Sequence, residues 1–181
     1  MLCLQRAEAM ADGLPYPAPP PPTDPRLPLS PLQVFKLKKS WKGIKRSIEL
    51  TGVEMFVRMF RTEPFLKDMF KDFRNLVTDD EMRENMALEK HATMVMNLLD
   101  EAINNIDNVD LLLDLLHRVG KNHLRFEGFD VSYFWLAEQP LLEAIKITLG
   151  DRYTENMDII YKLVIRFLLT EITKACRNDV S

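Results

Sequence analysis

Only three histidines occur in the 181 residues, and two of them stand where an amphipathic helix ordinarily carries an aliphatic side chain. His91 belongs to the series Leu88, His91, Val95, Leu98, Ala102, and His123 closes the series Leu112, Leu116, Val119, His123. Steps of three and four put each imidazole on the apolar face of its helix. An imidazole in apolar surroundings needs partners for its ring nitrogens, because burying an unpaired polar group costs roughly 1–3 kcal/mol. Taken singly, each reads as a core histidine hydrogen-bonded to its neighbours. Taken together, on two different helices, they could hold one metal ion between them. His117 lies about 240° around the helix from His123, which assigns it to the surface or rim.

Other chemistry is hard to build from this chain. A structural zinc needs four protein ligands, and no cysteine or third histidine is suitably placed. The six glycines are dispersed, without GxGxxG or GxxxxGK[ST], and neither GxSxG nor HExxH is present. The carboxylates fall mostly on polar helix faces, with no pair that suggests acid–base work. Two imidazoles amid aromatic side chains suit a flat cofactor that brings its own equatorial ligands. Iron porphyrin is such a group, needing only one or two axial nitrogens. CxxCH is missing, so attachment would be non-covalent. Phe56, Phe70, Phe73, Phe126, Phe129 and Phe134 lie before, between or just after the histidine helices; ordinary core packing is the simpler reading of each.

The elements that must position these residues are helical throughout. Ser30-Pro31-Leu32-Gln33 is a capping box with proline at the first helical position, and predicts a helix to about Ser47. A second helix is expected from about Glu49 to Thr62, then a short turn from Pro64 to near Phe70. Thr78 with Glu81 forms another capping box, opening one long helix to about Asn105. Asp107 or Asn108 starts the next, which ends around Leu124, with Gly128 at the corner. Asp130 caps a helix through Leu149 that Pro140 should kink or loosen and Gly150 should stop. Thr154 caps the last helix, to about Arg177. No segment alternates with period two long enough to argue a strand, so the class is all-α.

Nine of the eleven prolines fall between Pro15 and Pro31. Residues 1–29 therefore read as a disordered, proline-rich, flexible tail ahead of a domain spanning 30–178, and the PxxP spacings admit an SH3-type or WW-type partner. The net charge of −3 gives no general attraction to nucleic acid. Lys36, Lys38, Lys39, Lys42, Lys45 and Arg46 do cluster in the first helix. A solvated face is the plain reading, and an anionic membrane or partner surface the alternative. Two cysteines at opposite ends fit a reducing, cytoplasmic setting. The most apolar stretch, Ile159 to Ile172, is interrupted by Lys162 and Arg166, so no membrane span is expected.

In order along residues 31–177, the chain resembles a globin of the neuroglobin-like and invertebrate cellular branches. Trp41 falls where globins commonly keep tryptophan in the first helix. Phe60-Arg-Thr-Glu-Pro64-Phe-Leu-Lys-Asp-Met-Phe70 is similar to the turn whose phenylalanine packs on the haem. His91-Ala-Thr-Met-Val95 resembles the distal histidine with valine four later. Val119-Gly-Lys-Asn-His123 resembles the run ending in the proximal histidine, and Phe134 and Pro140-Leu-Leu continue the match.

The resemblance implies a globin fold of about seven to eight helices around a haem b (iron protoporphyrin IX) pocket. It makes His123 the proximal iron ligand, its other ring nitrogen bonded to a carbonyl about one turn back, plausibly Val119. His91 becomes the distal residue, either donating to a gaseous ligand or binding the iron as a sixth ligand. Phe70 and Val95 would crowd the porphyrin, with Val119, Phe129 and Phe134 completing the pocket. Phe56 stands where some invertebrate globins place tyrosine, which removes a second donor and favours internal coordination. Met94 stands where many relatives have a basic residue for a haem propionate; Arg125 and Lys121 are substitute candidates. The implied function is reversible binding of dioxygen, nitric oxide or carbon monoxide, in storage, oxygen transport, sensing or redox signalling. Two alternatives are a globin-type enzyme (nitric oxide dioxygenase, nitrite reductase or electron transfer) served by an external reductase, and a haem-free helical interaction module.

Overall fold

The computed structural model describes residues 22–177. Their regular structure is entirely helical: α1 (Pro31–Lys45), α2 (Ile48–Thr62), α3 (Asp79–Glu84), α4 (Met86–Asn104), α5 (Val109–His123), α6 (Glu138–Leu149) and α7 (Glu155–Arg177), with short 3₁₀ turns at Pro64–Met69, Val131–Ala137 and Gly150–Arg152. Both expected capping boxes form. Ser30 and Gln33 exchange side-chain and backbone hydrogen bonds at the start of α1, and Thr78 and Glu81 do so at α3.

Two expected helices are each divided. The helix expected from Thr78 to Asn105 breaks at Asn85, whose side-chain oxygen accepts the N–H groups of Ala87 and Leu88 at 3.0 Å. This asparagine satisfies orphan donors of α4 and so starts a new helix where apolar periodicity alone runs on. The stretch expected as one helix from Asp130 to Leu149 opens instead as the Val131–Ala137 3₁₀ turn, and α6 begins at Glu138. Pro140 thereby falls in the first turn of α6, where its missing N–H costs no helical bond.

The core is built around α2, which packs against both α4 and α6, while α5 packs along α7 and α1 lies across α6 and α7. Trp41, Leu37 and Ile44 bury the inner face of α1. Trp41 Nε1 donates to Asp100 on α4 at 2.9 Å, and Lys45 pairs with the other oxygen of the same carboxylate at 2.6 Å. On α7, the Tyr161 hydroxyl shares a 2.9 Å hydrogen bond with Ser40, and burial pushes its pKa up to about 12.

The chain ahead of α1 is packed earlier than the sequence suggests. Leu27 and Leu29 are buried, the Thr23 hydroxyl donates to the Leu29 carbonyl at 2.8 Å, and Arg26 bridges Asp24 to Asp110 on α5. Residues 23–29 thus pack against the helical body ahead of α1. Most of the polyproline stretch and its PxxP spacings lie outside the described residues. Within the described residues, no helix is long and apolar enough to cross a membrane.

Candidate haem-binding site

The two histidine helices are held by close approaches at glycine. On α2, a Cβ at Gly52 would stand 3.0 Å from the Ala92 carbonyl oxygen and 2.8 Å from Met96 Cγ. Ala92 is the residue after His91, so this contact sets how deep α4 lies at the histidine. On α5, a Cβ at Gly120 would stand 2.4 Å from the Ile172 carbonyl oxygen of α7. Gly120 lies three residues before His123 and fixes the end of α5 against α7. In both places the missing side chain lets one backbone rest against another helix.

His123 is half-buried at the end of α5. Its Nδ1 lies 2.8 Å from the Val119 carbonyl oxygen, one turn back. A carbonyl only accepts, so Nδ1 carries a proton, and in the neutral imidazole the lone pair is on Nε2. Phe134 and Phe129 close on the ring with centroids 4.7 and 5.2 Å away, and the exposed Phe126 reaches it at 6.1 Å.

His91, half-buried on α4, is enclosed by rings from two other elements. Phe56 of α2 lies at 5.1 Å, Phe70 after the 3₁₀ turn at 5.0 Å, and Phe73 at 6.2 Å. Among the described residues its imidazole has no hydrogen-bond partner. Burial lowers its pKa, and the charge His123 would carry lowers it further. Both effects favour the neutral imidazole of His91, which has one lone pair and one N–H.

Val95 and Val119 sit one turn from the histidines, on the same helix faces. Together with Phe70, Leu98 and Phe134 they pack against the core while staying partly exposed, an apolar wall that protein covers incompletely. The sequence-derived site residues therefore fall into two groups: Phe70 and Val95 with His91, and Val119, Phe129 and Phe134 with His123. Phe73 and Phe60 add a layer that the spacing of the histidines did not reveal. Phe73 stacks on Phe70 at 4.7 Å and 22°, and Phe60 touches Phe56, Phe70 and Phe73. The signal available was the density of phenylalanine between residues 56 and 73. Gly52 and Gly120 carried no signal, because the helices they meet are distant in sequence. His117 lies off this face, half-exposed, 3.9 Å from the Glu171 carboxylate.

The donor set fits a haem. Two imidazoles on different helices, one with its tautomer set by a backbone bond, stand among aromatic and aliphatic walls. No three His, Cys, Asp or Glu side chains converge among the described residues as they would to hold an ion unaided.

Against known proteins, the globin family model matches residues 53–170. This chain is a globin. It is 29% identical over 130 residues to cytoglobin-1 of Oryzias latipes, covering 72% of this globin and 71% of that protein. It is 30% identical over 118 residues to neuroglobin-1 of Oncorhynchus mykiss, covering 65% and 74% respectively. Among solved structures, a hexacoordinated haem protein from an anhydrobiotic tardigrade, crystallised at pH 4, superimposes with a TM-score of 0.82. That protein is 40% identical, and the match covers 86% of this globin and 99% of its chain. The relation places this globin with the neuroglobin-like cellular members of the family.

Proposed function

We propose that this globin holds a non-covalent b-type haem between His123 and His91 and reversibly binds dioxygen, nitric oxide or carbon monoxide, in storage, sensing or redox signalling in the cytoplasm. The observation that carries the proposal is the His123–Val119 hydrogen bond, which puts the lone pair of the neutral His123 imidazole on Nε2, the nitrogen that would hold the iron. When bound, the haem supplies an iron centre at which a diatomic gas coordinates.

The chain's own residues do the rest. Val119 orients the His123 ring and, by accepting from Nδ1, raises the basicity of the opposite nitrogen. Phe129 and Phe134 hold that ring from two sides. His91 would have two uses for its neutral imidazole beside a bound haem: its lone pair would hold the iron, or its N–H would donate to a gas ligand. Phe56 and Phe70 offer no competing donor and keep water from the His91 side. Internal coordination by His91 is supported by those apolar neighbours and by the hexacoordinated state of the tardigrade relative.

Haem titration followed by the ferrous visible spectrum tests this reading. The expected result is one haem per chain with a split, low-spin pattern before any ligand is added. His123→Ala should lose most haem retention. His91→Leu should keep haem and turn the ferrous spectrum broad and high-spin. No Soret band on haem addition would overturn the whole proposal, and an unchanged ferrous spectrum in His91→Leu would overturn internal coordination.

A further inference from the structure

The outward face of α1 plays no part in the haem site, and its composition is unusual for a solvated helix. Val34, Leu37, Trp41 and Ile44 face the core. At 100° per residue the opposite stripe is Leu32, Phe35, Lys36, Lys39 and Lys42, continued by Arg46 at the C-cap, a track about 21 Å long. It contains no acidic residue. Leu32 and Phe35 stand 58% and 63% exposed.

The four cations of the stripe form no ion pair among the described residues. The two carboxylates that reach the flanks of α1 are taken up by other lysines, Asp107 by Lys38 and Asp100 by Lys45. A fifth cation joins from outside the helix, since the Arg152 guanidinium lies against Gly43 on the same side. Favourable placement at a helix C-terminus accounts for Lys42 and Lys45. It does not account for Lys36 and Lys39, or for two large apolar side chains beside them.

We propose that this face is a docking surface for an anionic lipid bilayer, with Leu32 and Phe35 entering the headgroup boundary and Lys36, Lys39, Lys42, Arg46 and Arg152 meeting the lipid charge. A helix face with exposed apolar side chains and a basic border is the form that lies on a membrane interface. An acidic protein would match the charge equally, but the two apolar side chains favour a deformable apolar layer over a rigid partner lacking a cavity for them. The histidines and their aromatic neighbours lie on other elements, so the proposed contact uses none of the residues of the haem site.

The test is co-flotation of the full, haem-loaded chain with vesicles of phosphatidylcholine alone, and with vesicles carrying roughly a third phosphatidylserine. Binding is expected only to the anionic vesicles and should weaken steeply with salt. Replacing Lys36, Lys39, Lys42 and Arg46 together by glutamine should reduce binding on the order of several hundredfold, at roughly fivefold per charge. The double variant Leu32→Ser, Phe35→Ser keeps every charge and should still weaken binding at least tenfold. Leu32, Phe35, Lys39, Lys42 and Arg46 are exposed and Lys36 is half-buried, so the Soret band and helical circular dichroism should be unchanged and serve as folding controls. The proposal is overturned if the wild type floats no better with anionic than with neutral vesicles. It is equally overturned if the Leu32/Phe35 variant binds as the wild type does while polyglutamate competes fully, which would assign the face to an acidic protein.

Discussion

At the scale of single residues, the glycines at the helix crossings are as decisive as the histidines they serve. Gly120 rests on the Ile172 carbonyl so closely that even a methyl group forces α5 away from α7. Overpacking of this kind costs about 1–3 kcal/mol. Gly120→Ala should lower the melting temperature by roughly 2–4 °C per kcal/mol for a chain of this size. It should also speed haem dissociation, because the displaced segment carries His123. Ile44→Val, a core truncation on α1 away from the site worth about 0.5–1.5 kcal/mol, is the comparison. Thermal unfolding and haem transfer to an acceptor globin separate the two variants. Equal haem-loss rates at matched stability would remove Gly120 from any role beyond packing. The histidines themselves were legible because an imidazole in an aliphatic stripe is conspicuous. The glycines were not, because their partners sit dozens of residues away.

At the scale of elements, capping chemistry decides where the His91 helix begins. The Thr78–Glu81 capping box followed by the series Leu88, His91, Val95, Leu98 and Ala102 suggests one uninterrupted helix. What divides the helix is a single side chain, Asn85, taking two backbone donors. Asn85→Ala should cost about 1 kcal/mol, and amide exchange should rise at Ala87 and Leu88 more than at Ile103, which the cap does not reach. The Thr78–Glu81 box adds a pH dependence. Backbone N–H groups of Thr78 and Val77 donate to the Glu81 carboxylate and hold its pKa below the ordinary glutamate value. A lowered folded-state pKa contributes stability at neutral pH, and that contribution is lost as pH falls through it. Amide exchange in α3 should therefore accelerate on acidification ahead of α2 and α7. In Glu81→Gln this acid step should be absent. The 3₁₀ turn at Val131–Ala137 was hidden for a related reason: Asp130 caps either kind of helix, accepting from Ser132 N at 2.7 Å, and only the placement of Pro140 separates the alternatives.

At the scale of the whole molecule, the two histidines belong to different packing units. α4 is seated on α2 through Gly52, whereas α5 is seated on α7 through Gly120, and direct packing between α4 and α5 is slight beside either of those pairings. A group bonded to both His91 and His123 would tie these units together, and the apolar walls of Phe70, Val95, Val119 and Phe134 would gain cover at the same time. A ligand that binds only the folded state adds about 4 kcal/mol when present at a thousand times its dissociation constant. Removing haem should accordingly lower the melting temperature by roughly 8–16 °C, using 2–4 °C per kcal/mol. The loss should also be uneven. α1, α2, α6 and α7 bury the side chains Trp41, Val57, Ile145 and Tyr161 without the site, and should stay protected in the apoprotein. The segment Phe70–Glu84, the first turns of α4, and the corner from Leu124 to Ala137 lean on the site and should exchange fast. Hydrogen exchange of apo and haem-loaded protein measures both expectations. A uniform loss of protection would mean that haem stabilises the fold as a whole, and that α4 and α5 are already joined without it.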